Sequence, residues 1–353
     1  MKKQVLLRAP LLTNSGYGVH SRQIFEWLYD RDDIELKVEC LQWGRTSWLL
    51  DENEENGIVK KIMDCSKPFE KENMDISFQV QLPDEWDTTL AKINIGVSAL
   101  VETDKCSQEW VDQCNKMDHV IVPSTFTKNV LKRSGQITTN LSVIQEWFNP
   151  ILLNRSKNDK TLNDERFKSI DHKFNILMIG TLTSQNPNDD RKNLLNSLKW
   201  ICEEFKGNED VCIVLKTNLG KGTTIDRKDC VKFLKSFKYT YGVGDYPKIK
   251  LLHGNMTKEE VSALFNHKNV KLYATATRGE GYGLPLIEAA ASGLPIVATG
   301  WSGHLEFLDK ELIGSVDYNL VNISKTRADG RIFKEDFRWA EPVESSFKRE
   351  IRK

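Results

Sequence analysis

The chain has 353 residues, with 50 basic and 50 acidic side chains and a net charge of zero. That length suggests two domains, and that balance argues against a globally basic nucleic-acid binder. No apolar run approaches the roughly 18 residues of a membrane span. The seven cysteines show no CxxC pair and the six histidines no metal-ligand spacing. This speaks against a disulfide scaffold or a metal module and fits reduced thiols in a cytoplasmic protein.

The N-terminus, MKKQVLLRAP, starts basic, but its apolar run is too short for a signal peptide. It reads as a first strand, Gln4 to Arg8, leading into a loop from Ala9 to Gly18. A helix follows with Val19, Ile24, Phe25 and Leu28 on one side. Strand, glycine loop, helix is a Rossmann-like opening, although the G-x-G-x-x-G dinucleotide spacing is absent. His20 and Arg22 come next and would face the loop side if the helix starts near Gly18. Ile34 to Leu41 reads as the second strand. Residues 44–74 are charged and expected to be irregular. Asp75 to Gln81 alternates like a strand, and Ile93 to Val97 is another, ending at Ala99 to Asp104. Ligands bind at strand carboxyl ends in open α/β sheets, which makes Glu102 and Asp104 candidates for ligand recognition or base function. Helix capping by Thr103 or Asp104 ahead of Trp110 is the plain alternative. Met117 to Lys128 reads as a strand and a Ser-capped helix, and Ser142 to Pro150 as the last segment of a domain spanning 1–150.

Residues 151–172 are polar and expected as a linker. A second domain, 173–353, begins with the strand Phe174 to Gly180. Arg191-Lys192-Asn193 then opens an amphipathic helix with Leu194, Leu195, Leu198, Trp200 and Ile201. Adjacent Arg and Lys at a helix start would hold a diphosphate and stabilise it as it leaves. Val211 to Leu215 is a strand whose end carries Lys216, a further phosphate candidate. Residues 219–246 form a charged insertion with one helix-like piece, Cys230 to Phe237. Ile249 to Gly254 is the next strand, and Thr257 to Glu260 is a capping box opening a helix through Phe265.

The stretch that organises the chain is Lys271 to Gly300, KLYATATRGEGYGLPLIEAAASGLPIVATG. A strand ending near Ala276 meets the turn Gly279 to Gly283. Pro285 suits the first turn of a helix that Gly293 closes, and Ile296 to Ala298 reads as a second buried strand. The glycine backbone and helix start suit a phosphate. Glu280 and Glu288 suit hydroxyls, since carboxylates accept hydrogen bonds and repel phosphate. A sugar nucleotide carries both groups; an ordinary βα turn with surface glutamates is the plain alternative.

Glu280-Gly-Tyr-Gly-Leu-Pro-Leu-Ile-Glu288, with Ala289, Gly293 and Pro295, resembles the signature of the retaining glycosyltransferases of family 4, also called glycosyl transferases group 1. The match extends to Trp301-Ser302-Gly303 and Glu306-Phe307-Leu308. The resemblance implies the GT-B fold, an α/β architecture of two Rossmann-like domains facing across a cleft. It assigns Glu280 to the donor sugar, Glu288 to the ribose, and Gly281, Tyr282, Gly283 and Leu284 to sugar and diphosphate. Arg191 and Lys192 take the leaving diphosphate, and the strand end at Gly254 the nucleobase side. Gly16 and Gly18 become donor-side candidates, and His20, Glu102 and Asp104 acceptor-side candidates. The family's histidine-rich motif is replaced by Gln79 and Gln81, so that role is not carried over. Arg338 to Lys353 resembles the start of helices that cross back to the first domain, with the chain stopping early there.

The expected activity is metal-independent transfer of a hexosyl or pentosyl group, with no cofactor, from a nucleotide sugar to a saccharide or lipid-linked glycan. Transfer to a modified base in DNA is a second expectation, weakened by the neutral charge. A nucleotide-sugar epimerase or phosphorylase on the same fold is a third.

Overall fold

The computed structural model describes residues 2–153, 165–182, 184, 186–245 and 247–353. The chain divides into two compact units, Met1–Trp147 with Gly330–Ile332, and Phe148–Asp329 with Phe333–Lys353.

The first unit contains β1 (Lys3–Ala9), α1 (Gly16–Tyr29), β2 (Ile34–Cys40), α2 (Glu54–Cys65), β3 (Ile76–Val80), β4 (Ile93–Val97), α3 (Gln108–Cys114), β5 (His119–Val122), α4 (Thr125–Ser134) and β6 (Asn140–Val143). Its six strands are all parallel, in the order β2-β1-β3-β4-β5-β6. Parallel strands buried on both faces read as continuous apolar runs. In β1, Val5 and Leu7 enter one core and Leu6 the opposite one, as alternation requires. Ser124 caps α4 by accepting from the Thr127 N–H.

Residues 44–74 are less irregular than the sequence suggested. They hold α2, whose regular part follows left-handed backbone at Glu55, Asn56 and Gly57. Ile58, Val59 and Ile62 bury in the same core as Val5 and Leu7. Flanking charges hide this short apolar stripe.

The second unit contains α5 (Glu165–Lys168), β7 (Phe174–Ile179), α6 (Leu194–Glu204), β8 (Val211–Lys216), α7 (Thr224–Thr240), β9 (Lys248–Leu252), α8 (Lys258–Phe265), β10 (Val270–Thr275), α9 (Leu284–Ala291), β11 (Ile296–Thr299), β12 (Gly314–Val316), β13 (Tyr318–Asn322), β14 (Arg338–Pro342) and α10 (Glu344–Arg352). Its main sheet is parallel, in the order β12-β11-β10-β7-β8-β9. The order therefore reverses between β7 and β10, the arrangement of a doubly wound Rossmann sheet.

Three expectations change here. Leu152, Phe167 and Ile170, within the expected linker, are buried in the second unit's core, so its described ends are anchored; residues 154–164 of that stretch lie outside the described residues. The insertion helix α7 starts at Thr224, well before Cys230, because Thr223 caps it by accepting from the Asp226 N–H. Arg338–Pro342 is a strand antiparallel to β13. The helix after it packs on its own unit, with Phe347 buried and its ring 5.6 Å from that of Trp200.

None of the seven cysteines is in a disulfide: five are buried, while Cys40 and Cys65 are half-buried. Among the described residues no helix is long and apolar enough to cross a membrane.

Candidate active site

Ligand loops of open parallel sheets gather where the strand order reverses, at the strand carboxyl ends. In the second unit that point lies between β7 and β10. The segment after β7 ends in Arg191 and Lys192, and the turn after β10 carries Glu280. Lys192 Nζ donates to both Glu280 carboxylate oxygens, at 2.7 and 2.8 Å. An Arg191 guanidinium nitrogen donates to Glu280 Oε2 at 3.3 Å and to the Gly279 carbonyl at 2.7 Å. Thr277 Oγ1 donates to Glu280 Oε1 at 2.9 Å. Burial alone would raise the carboxyl's pKa, but the charges of Lys192 and Arg191 outweigh it and hold Glu280 at about 2. The residue is buried and ionised, with only 8% exposure.

The backbone of Glu280 is fixed as firmly as its side chain. Its N–H donates to Ser302 Oγ at 2.9 Å, and its carbonyl accepts from the Gly303 N–H at 2.8 Å. A Cβ at Gly303 would stand 2.0 Å from the Gly281 carbonyl oxygen, so only glycine permits this approach. Buried His304 lies 2.8 Å from the Thr299 carbonyl through Nε2 and 3.3 Å from Ser302 Oγ through Nδ1. The carbonyl bond requires a proton on Nε2, and burial lowers the ring's pKa, keeping it neutral.

Behind the cluster, Arg278 is 1% exposed. It donates to the Pro187 and Asp190 carbonyls, both at 2.7 Å, and forks onto Glu341 at 2.6 and 2.9 Å. Asp190 in turn accepts from the Lys192 and Leu194 N–H groups, at 3.1 and 2.7 Å. The loop presenting the two cations is thus set by buried polar groups.

Gly283, with φ of +104°, caps α9, which starts at Leu284. Gly281 and Tyr282 are buried, and the Tyr282 ring lies 4.9 Å from that of Phe307. Glu288 lies on the second turn of α9, half-buried, and its carboxyl has no hydrogen-bond partner among the described residues. Burial pushes its carboxyl up to about 8. Lys216 donates to the Gly254 carbonyl at 2.5 Å, and burial lowers its pKa.

The remaining candidates lie in the first unit. Gly16 opens α1 behind the cap Ser15. Gly18 has a packing role, since a Cβ there would stand 2.0 Å from the Thr13 carbonyl oxygen. His20 is buried 3.7 Å from Glu146, and burial lowers it to about 4. Arg22 holds the loop after β1, donating to the Leu11 and Thr13 carbonyls at 2.8 and 3.1 Å. Glu102 and Asp104 are half-buried after β4. The cap of α3 is Ser107, not Thr103 or Asp104; Thr103 Oγ1 donates to the Lys105 carbonyl at 2.7 Å. Tyr17 Oη accepts from the Ala99 and Leu100 N–H groups at 3.1 and 3.2 Å, and its ring stacks on Trp43 at 3.9 Å.

Sequence reasoning missed Thr277, Arg278, His304 and Tyr17. An arginine just past a buried apolar strand, directly before the glycine turn, was the available signal for Arg278.

Residues 228–316 match the family model described as glycosyl transferases group 1. No curated protein matches the sequence. Among solved structures, the chain is similar to sucrose-phosphate synthase from Thermosynechococcus elongatus, with TM-score 0.63 and 13% identity over 99% of this chain and 89% of that one. A glycosyltransferase from Rickettsia africae gives 0.62 and 14%, over 90% and 84%. Anabaena HepE, solved with UDP and glucose, gives 0.55 and 15%, over 87% and 83%. At such identities the likeness shows the fold. Residues 228–316 are thus similar to group 1 glycosyltransferases, and they are set in a chain with the GT-B fold.

Proposed function

We propose that the protein is a retaining glycosyltransferase of family 4, moving a hexosyl or pentosyl group from a nucleoside-diphosphate sugar to a hydroxyl of a saccharide or lipid-linked glycan. The observation that carries this is the buried, ionised Glu280 held between Lys192 and Arg191 at the switch point of the sheet. Two cations and the start of α9 offer positive charge where a diphosphate would leave. Glu280 holds those cations in place and accepts from donor-sugar hydroxyls. Glu288, whose carboxyl lacks a partner among the described residues, takes the ribose hydroxyls.

In the reaction, the bond from the sugar C1 to the diphosphate oxygen breaks as the acceptor oxygen bonds C1 on the same face. The acceptor proton passes to the departing phosphate oxygen. Because the positive charge comes from side chains, neither Mg²⁺ nor Mn²⁺ is required at the diphosphate, and no cofactor is needed. Cysteines outside any disulfide suit a cytoplasmic setting. HepE was solved with UDP, so UDP-sugars are the first donors to test.

The test is a panel of nucleotide sugars, with donor hydrolysis as the first readout and proton NMR of the product's anomeric signal as the second. Retention and indifference to added Mg²⁺ or Mn²⁺ are expected. An inverted product would overturn the family assignment, and no turnover of any donor would overturn the activity.

A further inference from the structure

We propose that Asp226, Cys230 and His253 form a binding site for a thiophilic divalent cation of the Zn²⁺ kind. Residues four apart on a helix share one face, which sets Asp226 and Cys230 together on α7. β9 ends at Leu252, and the next residue, His253, meets that face. Asp226 Oδ2 lies 2.6 Å from His253 Nε2 and 4.0 Å from Cys230 Sγ. The three ligating atoms all lie within 4.8 Å of one another. Cys230 is fully buried, and the side chains of His253 and Asp226 are 4% and 11% exposed.

Zinc bonds of about 2.3 Å to sulfur and about 2.0–2.2 Å to nitrogen and oxygen separate tetrahedral ligands by roughly 3.4–3.6 Å. The cluster brackets that spacing, so side-chain rotations of under about 1 Å at the ligating atoms suffice. A sulfur, nitrogen and oxygen set selects against Mg²⁺ and Ca²⁺, which take oxygen. Three protein ligands leave one position for water or another small ligand. The chain separation of His253 from the helical pair is why histidine spacing gave no sign of it. Asp226 also accepts from the Leu219 N–H at 3.1 Å, so the ion would tie the loop before α7 to the end of β9. That end continues to Gly254, which holds Lys216.

Full-length protein stripped of metal and titrated with Co²⁺ tests this. One equivalent should give a thiolate-to-cobalt charge-transfer band with the intense d–d absorption of four-coordinate cobalt, displaced by Zn²⁺ and not by Mg²⁺. Cys230→Ser should abolish the charge-transfer band, and His253→Gln should weaken binding by at least about tenfold. X-ray absorption of the zinc-loaded wild type, which depends on no variant folding, should show one sulfur at about 2.3 Å. No band at stoichiometric Co²⁺, a band that survives Cys230→Ser, or a shell of nitrogen and oxygen alone would each overturn the site, leaving a plain histidine–aspartate hydrogen bond beside a buried thiol.

Discussion

Glu280 and Glu288 flank one glycine turn, yet their carboxyls move in opposite directions. Burial raises both, but Glu280 has two cations to reverse the effect and Glu288 has none. The stability that Glu280 contributes is present above its unfolded value of 4.5 and is lost as pH falls towards about 2. For Glu288 the neutral form suits the fold, so stability is lost as pH rises from 4.5 through about 8. Ribose hydroxyls would donate to the ionised form. Affinity for nucleoside diphosphate should therefore rise with pH up to about 8 and release a proton, as calorimetry in two buffers of different ionisation enthalpy can measure. Glu288→Gln should flatten that dependence; an unchanged pH profile would remove Glu288 from the site. Lys192→Ala leaves a buried carboxylate short of its nearest cation. It should cost about 3 kcal/mol in urea unfolding at pH 7 and on the order of 10²–10³ in turnover. Full turnover in both Lys192→Ala and Arg191→Ala would move the phosphate site elsewhere. The sequence showed the charged residues of this site because their types and order carry the chemistry. It did not show that Arg191 and Lys192 bind Glu280, because that contact depends on two strands distant in sequence becoming neighbours.

The loop bearing Arg191 and Lys192 owes its shape to Arg278, which lies in the turn after β10 and grips two carbonyls of another segment. Glu341 on β14 and the Trp339 ring, 5.2 Å from the guanidinium, complete its surroundings. A lysine cannot reproduce a planar fork with several donors. Arg278→Lys should lower kcat by about tenfold or more through displaced cations, with a smaller change in nucleotide affinity. Unchanged kcat alongside lowered stability would mean that the residue only holds the fold. The central parallel strands β7, β8 and β10 were legible because each is a compact apolar run bounded by turn residues. The edge strand β12, Gly-Ser-Val, was not, because it is too short and too polar to stand out. The regular part of α2 and the β13–β14 hairpin were not, for different reasons. The former shows only three buried apolar residues among charges, and the latter depends on antiparallel pairing between strands well separated along the chain.

Each unit has its own sheet and its own buried cores. A nucleoside diphosphate at a hundredfold over its Kd would stabilise the unit that binds it by about 2.7 kcal/mol. For a unit of this size, that is a rise of roughly 5–10 °C in melting temperature, readable by calorimetry. The absence of any shift at saturating nucleotide would argue against a site in the native state. The distribution of cysteines supplies a finer readout. Burial pushes the Cys202 thiol up to about 12 and the Cys212 thiol to about 11, and raises Cys114 further still. Reactive thiolate is therefore scarce until the surrounding structure opens. Alkylation followed by mass spectrometry should modify Cys40 and Cys65 first. Cys106 and Cys114 would then time the opening of the first unit, and Cys202 and Cys212 that of the second, each without an introduced label.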